Sequence, residues 1–205
     1  MSFFQNTCKP EGIGGKLMVQ MMNSGHAQLA EWGISHMTMS EKDTRNILDI
    51  GCGGGANVAN WLKLYSHAHV TGIDYSDVSV ESSRNKNKEA IKQNRCDILL
   101  ANVLHIPCAT HTFDMISAFE TIYFWPEIEK AFAEVYRVLK VGGQFIICNE
   151  ADGKNPKDEK WTKMIDGMRI YEEDKLCELL SNVGFSQLRV EHSEKHWMCV
   201  IAEKK

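Results

Sequence analysis

No run in this 205-residue chain approaches the roughly 18 consecutive apolar residues that cross a bilayer. Its opening stretch, MSFFQNTCKPEGIGGK, also lacks the apolar segment of a secretory signal. A cytoplasmic protein with no membrane partner is expected. Positive charge is not in excess either: 23 Lys and Arg stand against 27 Asp and Glu, a net charge of −4. No overall positive field draws in phosphate backbones, which argues against a nucleic-acid partner. The seven cysteines (Cys8, Cys52, Cys96, Cys108, Cys148, Cys177 and Cys199) contain no C-x-x-C pair. Neither a disulfide framework nor a zinc knuckle is indicated, and most of the thiols are expected reduced and buried. Internal repeats and low-complexity tracts are missing as well.

What is present is an ordinary globular composition, 43% hydrophobic and 24% charged, in a chain of single-domain length. We read residues 1–205 as one domain, with 1–40 as an N-terminal helical cap whose pattern breaks at Gly25 and Gly33. From Asn46 the pattern alternates. Strands are predicted at 46–50, 69–74, 96–102, 113–119, 143–150, 186–193 and 196–204. Helices are predicted over ANVANWLKLY, over SDVSVESSRNKNKEAIKQN as one element, near His105, over WPEIEKAFAEVYRVLK and over YEEDKLCELLSNVG. Strands alternating with helices imply right-handed crossovers and a parallel sheet covered on both faces. The last two strands are too close in sequence for a crossover and must pair as a hairpin. The fold class is therefore α/β: a doubly wound, mostly parallel seven-stranded sheet with an antiparallel C-terminal hairpin and helices on both faces. Residues 151–170, polar and punctuated by Gly and Pro, read as an insertion or lid.

The richest local signal is NILDIGCGGGANV, residues 46–58. A buried strand runs into Gly51, Gly53, Gly54 and Gly55 and then into a helix, so bare backbone and the helix's first N–H groups face a ligand. Asp74 ends the next strand, about 20 residues on, where a carboxylate accepts the hydroxyls of an adenosine ribose. Together they indicate a nucleoside cofactor. Gly51, Gly53 and Ala56 fit a dinucleotide fingerprint, while Asp49 beside the turn favours a ligand carrying an ammonium and a sulfonium over a pyrophosphate.

LDIGCGGG, GIDYS, FDMISAFETIYFW and AFAEVYRVLKVGGQFIICNE, in that order, resemble the class I S-adenosylmethionine (SAM)-dependent methyltransferases, especially the type 11 small-molecule group. The resemblance runs from about Asn46 to Glu150. It implies a methyl transfer from SAM to a small-molecule acceptor, with S-adenosylhomocysteine as product. By position, Asp49, Gly51, Cys52, Gly53 and Gly55 would line the methionine portion and Asp74 would hold the ribose. Tyr75, Ser76, Asn102 and Val103 would lie beside the adenine, and Phe119 nearby. Where many relatives carry an acid after the third strand, this chain has Asn102, whose side-chain oxygen still accepts a hydrogen bond.

By the same resemblance Glu120, at the end of the fourth strand, would face the reacting methyl, which makes it the candidate to contact or deprotonate the acceptor, with Tyr123 and His26 as further catalytic candidates. Thr121, Phe124 and Trp125 follow just behind. Glu150, Trp161 and Met168 border the insertion as candidates to shape the acceptor pocket. His192 and His196 share a spacing that invites a metal, but they flank a hairpin turn without a supporting acid cluster, so no metal site is read. Two other functions use the same features: an NAD-dependent oxidoreductase and a non-catalytic SAM sensor. A monomer or homodimer is expected.

Overall fold

The computed structural model describes Gly12 and residues 26–156 and 158–205; of the N-terminal cap expected over residues 1–40, the part before His26 other than Gly12 lies outside the described residues. Seven strands form one sheet: β1 (Asn46–Ile50), β2 (His69–Asp74), β3 (Cys96–Leu100), β4 (Phe113–Phe119), β5 (Leu139–Asn149), β6 (Phe185–His192) and β7 (Met198–Lys204). Their order is β3-β2-β1-β4-β5-β7-β6, with β7 antiparallel to both of its neighbours and every other pair parallel. The chain winds outward from β1 to β3 and then returns to start the other half at β4. A crevice therefore opens where β1 and β4 part, at their carboxyl ends.

Helices cover both faces: α1 (Ala27–Ser35), α2 (Ala56–Leu64), α3 (Asp77–Lys86), α4 (Lys88–Lys92), α5 (Ile128–Val138), α6 (Asp158–Met164) and α7 (Glu173–Val183). Strand alternation decides which side chains meet which layer. Leu48 and Ile50 of β1 join Phe132, Phe145 and Leu176 in one core, under α5 and α7. Ile47 joins Leu29, Val58, Trp61 and Cys148 in the other, under α1 and α2. In α5, Ala131, Phe132, Val135 and Val138 are fully buried at helical spacing, and Trp125 stacks on Phe145 at 6.4 Å between ring centroids. Cys52, Cys96, Cys148 and Cys199 are buried, and all six described cysteines are free.

Beyond end shifts of up to three residues, the predicted elements differ in four places. The single helix after Asp74 divides at Asn87 into α3 and α4, and Asn87 turns its side-chain amide onto the carbonyls of Gly55 and Ser83. No helix forms near His105: Asn102 Oδ1 accepts the Leu104 N–H, and an isolated bridge ties Asn102 to His105. β5 starts at Leu139 rather than 143, because the chain leaves α5 directly into the sheet. Gly33 lies inside α1 instead of breaking it. A Cβ there would meet Cys148 Sγ at 2.6 Å and the Phe119 ring at 3.0 Å, so the glycine lets the helix press onto β4 and β5. Among the described residues no helix is long and apolar enough to cross a membrane.

Candidate active site

The carboxyl ends of β1, β2, β4 and β5 open into a cavity of about 820 Å³. One half is built on the glycine turn. Gly53 lines it, and a Cβ on Gly53 would find no heavy atom nearer than 4.0 Å, so that position is bare toward the cavity. The Gly53 N–H donates to Asp74 Oδ2 at 2.9 Å and the Ser76 N–H donates to Oδ1 at 2.9 Å, with the Tyr75 N–H also turned to the carboxylate. These donors fix the Asp74 carboxylate and leave acceptor capacity on its cavity side for a sugar hydroxyl. Burial pushes its pKa up, and the three backbone donors oppose that.

Cys52, Tyr75, Asn102, Val103 and Phe119 also line the cavity, as does Gly51, which packs against Thr121. Burial holds the Cys52 thiol protonated, with the Asp74 and Asp49 carboxylates adding to the effect, so it is a wall and not a nucleophile.

Three residues expected on the ligand lie off the cavity wall. Gly55, the left-handed residue before α2, faces α3: a Cβ would meet Ser83 Oγ at 2.4 Å and Asn87 Nδ2 at 2.5 Å. Its role is helix against helix. Ser76 caps α3, its hydroxyl accepting the Ser79 N–H. Asp49 points to the α2 face, as its place between Leu48 and Ile50 on an alternating strand requires. There its Oδ1 accepts the Ser117 hydroxyl at 2.7 Å, and Ser117 in turn accepts the Trp61 indole N–H at 2.9 Å. Burial raises the Asp49 pKa to about 7, opposed by the Ser117 bond and reinforced by Asp74. Asp49 thus ties β1 to β4 and, through Ser117, to α2.

The other half is built from side chains. Glu120 follows β4 with φ of 59°, a left-handed conformation uncommon outside glycine, while its own N–H still donates to the Cys148 carbonyl at 2.9 Å. Such strain costs on the order of 1–3 kcal/mol and concentrates at functional positions. It turns the carboxylate toward β5, where Glu120 Oε1 accepts the Glu150 N–H and, at 3.1 Å, the Tyr123 hydroxyl. Tyr123 is itself held by the Ala151 N–H, which donates to its oxygen at 3.0 Å. Burial raises the Glu120 pKa to about 8, with the Glu150 and Asp158 carboxylates adding and the two hydrogen bonds opposing. Tyr123 is pushed well above the usual phenol value, chiefly by burial.

His26 enters from the start of α1. Its ring lies 4.0 Å from a Glu150 oxygen, and burial lowers its pKa against the pull of that carboxylate, which favours the neutral imidazole. His26, Glu120 and Glu150 offer donor atoms within 4.8 Å of one another.

Trp161, Ile165 and Met168, from the 151–170 segment, complete this wall. The sequence reading passed over Ala30 and Glu31 on α1 and Asn57 and Asn60 on α2, which also line the cavity. Ala30 and Glu31 lie i+3 and i+4 from Ala27, and Asn60 lies i+3 from Asn57 and i+4 from Ala56, a signal usable only once each helix start is fixed. His192 and His196 lie elsewhere, at the turn of the terminal hairpin. Both approach Asp152, at 3.9 and 3.5 Å, and His192 meets Glu173 at 3.0 Å.

The arrangement fits SAM. It has a bare cradle at Gly53, a backbone-fixed acid for the sugar, and a second acid, Glu120, two strand spacings away along the sheet edge, roughly 10 Å.

The Methyltransferase domain family matches residues 48–147. The chain is 33% identical over 155 residues to 24-methylenesterol C-methyltransferase 2 of Arabidopsis thaliana, a match covering 70% of this chain and 42% of that protein. With an O-methyltransferase of Pyrenophora dematioidea, identity is 27% over 78% of this chain and 62% of the relative. The chain therefore spans less than two thirds of the length of these relatives. In structure it resembles a SAM-dependent methyltransferase from Aquifex aeolicus, with a TM-score of 0.75, 20% identity, and coverage of 91% and 97%. At that identity the likeness speaks for the fold.

Proposed function

We propose that this chain, which belongs to the class I SAM-dependent methyltransferases, transfers a methyl group to a small-molecule acceptor seated between Glu120 and the aromatic wall. The observation that carries the reading is the pairing of two acids at opposite ends of one cavity: Asp74, fixed by backbone donors, and Glu120, fixed by Tyr123 and the Glu150 N–H. When bound, SAM supplies an electrophilic methyl on a positively charged sulfur.

The chain's part is to bind, orient and manage a proton. Gly51, Gly53 and Tyr75 border the donor and Asp74 receives its sugar. Asn102 and Val103 wall the base. Glu120 stands where a protonated acceptor loses its proton, and a carboxylate whose pKa is near 8 is well matched to that task around neutral pH. Aligning acceptor and donor contributes most of the rate, since effective molarities for oriented pairs reach roughly 10⁵ to 10⁸ M. Trp161, Ile165 and Met168 let the 151–170 segment act as a lid that keeps water from the reaction. The reading includes a cytoplasmic location, no nucleic-acid partner, and a single-domain monomer or homodimer.

Calorimetry with SAM, S-adenosylhomocysteine and NAD tests the reading first. SAM and its product are expected to bind and NAD is not; tight NAD binding with no SAM response would reject it. Incubation with methyl-labelled SAM and cell extract, read by mass spectrometry, then identifies the methylated product.

A further inference from the structure

We propose that the acceptor is an amine, arriving as an ammonium on an apolar body, received by Glu120 and Glu150 and enclosed by Tyr123, Phe124 and Trp161. The inference rests on the methyl-transfer reading above and names the substrate class of that site. Its basis is a charge imbalance confined to one end of the cavity. Glu120 and Glu150 converge there with His26, and Glu31 of α1 adds a third acid to the lining. The single Lys or Arg lining the cavity among the described residues is Lys86, on α3 beyond Asp74. Glu120 is enclosed and Glu150 stands at the rim, 42% exposed; two acids converging without a counter-cation favour a ligand ammonium between them.

An anionic acceptor would meet both carboxylates, and a neutral alcohol would leave the pair uncompensated. The walls agree with a cation, since aromatic faces attract ammonium groups by roughly 0.5 to 2 kcal/mol. An acceptor ammonium is also repelled by the donor sulfonium, so two acids beside it serve a purpose that one would not.

The chemistry balances. The ammonium gives one proton to the Glu120 carboxylate, which frees the nitrogen lone pair. That pair attacks the methyl carbon. The C–N bond forms as the C–S bond breaks, and the bonding electrons stay on sulfur, leaving a neutral thioether. The product nitrogen carries the positive charge again and remains paired with Glu150, whose side chain is 42% exposed and opens the site to solvent. Glu120 then releases its proton to water at that rim.

The test uses the full chain loaded with S-adenosylhomocysteine. Benzyltrimethylammonium, which can neither donate a hydrogen bond nor react, is titrated by calorimetry. Measurable binding is expected, at least fivefold weaker in Glu150→Gln while affinity for S-adenosylhomocysteine stays within twofold. If that variant does not fold, Trp161→Leu is expected to weaken the same probe.

With labelled SAM, phenethylamine is expected to outpace 2-phenylethanol at least tenfold, and 3-phenylpropanoate to remain unmethylated. Preference for the alcohol or the carboxylate overturns the amine assignment. So does a failure of the cation to bind protein that holds S-adenosylhomocysteine, or activity lost to a chelator and restored by Mn²⁺, which would give the three side chains to a metal. Failure of SAM and its product to bind at all would instead reject the methyl-transfer reading beneath it.

Discussion

The two halves of the cavity are made of different material. The nucleoside half, at the ends of β1 and β2, is backbone: N–H groups of Gly53, Tyr75 and Ser76 converge on Asp74, and Gly53 offers bare main chain. The acceptor half, at the ends of β4 and β5, is side chain: His26, Glu120, Tyr123, Glu150 and Trp161 arrive from four separate stretches of sequence. A half made of backbone tolerates change in its neighbours and suits a ligand that does not vary. A half made of side chains can be rebuilt for a new acceptor without touching the sheet.

The sharpest way to break this division is Glu120→Gln. The variant keeps the shape and loses the base, so kcat is expected to fall by about 10²- to 10⁴-fold while calorimetric affinity for S-adenosylhomocysteine changes less than threefold. The proposed reaction runs through ionised Glu120, so wild-type kcat/KM is expected to rise with pH through about 8 and the variant to lose that limb. The groups facing Glu120 are Glu150, Tyr123, Asp158 and His26. Equal losses of SAM affinity and rate would show that Glu120 belongs to the donor half instead.

Asp74→Ala attacks the other half. Losing the carboxylate's hydrogen bonds to the sugar is expected to cost about 2 kcal/mol of SAM affinity, roughly 30-fold, measured by calorimetry on protein whose circular dichroism is unchanged. An acceptor probe such as benzyltrimethylammonium should bind the variant nearly as before.

Gly55→Ala asks whether every glycine of the turn serves the ligand. The added methyl meets Ser83 and Asn87, and φ of 77° is strained for alanine, so about 1–3 kcal/mol of stability is expected to go in chemical denaturation. The folded fraction should bind SAM with wild-type affinity. A large loss of affinity without loss of stability would return Gly55 to the binding surface.

The same division explains what could be read before folding. Glycines after an apolar strand, an acid about 20 residues on, and two strands too close for a crossover are local patterns, and each points to one structure. The acceptor half has no such pattern, because Glu120 and Glu150 become neighbours only through the β4–β5 pairing of Phe119 with Cys148. Even in the nucleoside half, motif position alone misdirects Asp49, Gly55 and Ser76. Strand alternation turns Asp49 to Ser117, the packing of α2 on α3 claims Gly55, and the start of α3 claims Ser76. Gly33 was misleading for a similar reason, since its missing Cβ serves a contact with Cys148, over a hundred residues away.

The smallest expected effect concerns how the acceptor half is held shut. His192 and His196, on the terminal hairpin, both approach Asp152 at the start of the lid segment, and His192 also bonds Glu173 at the start of α7. Asp152 is nearly buried at 3% exposure while both imidazoles are partly exposed, so each pair is a rim contact. Contacts of this kind contribute about 0.2–1 kcal/mol and are screened by salt. His192→Ala with His196→Ala is therefore expected to lower stability by under about 2 kcal/mol at low salt, less at 0.5 M salt, and to leave SAM affinity unchanged. What should move is the lid. Hydrogen exchange at residues 152–168 is expected to quicken in the double variant while the glycine turn keeps its protection. Faster exchange at the turn as well would mean that the two halves are mechanically one, and would undo the division between them.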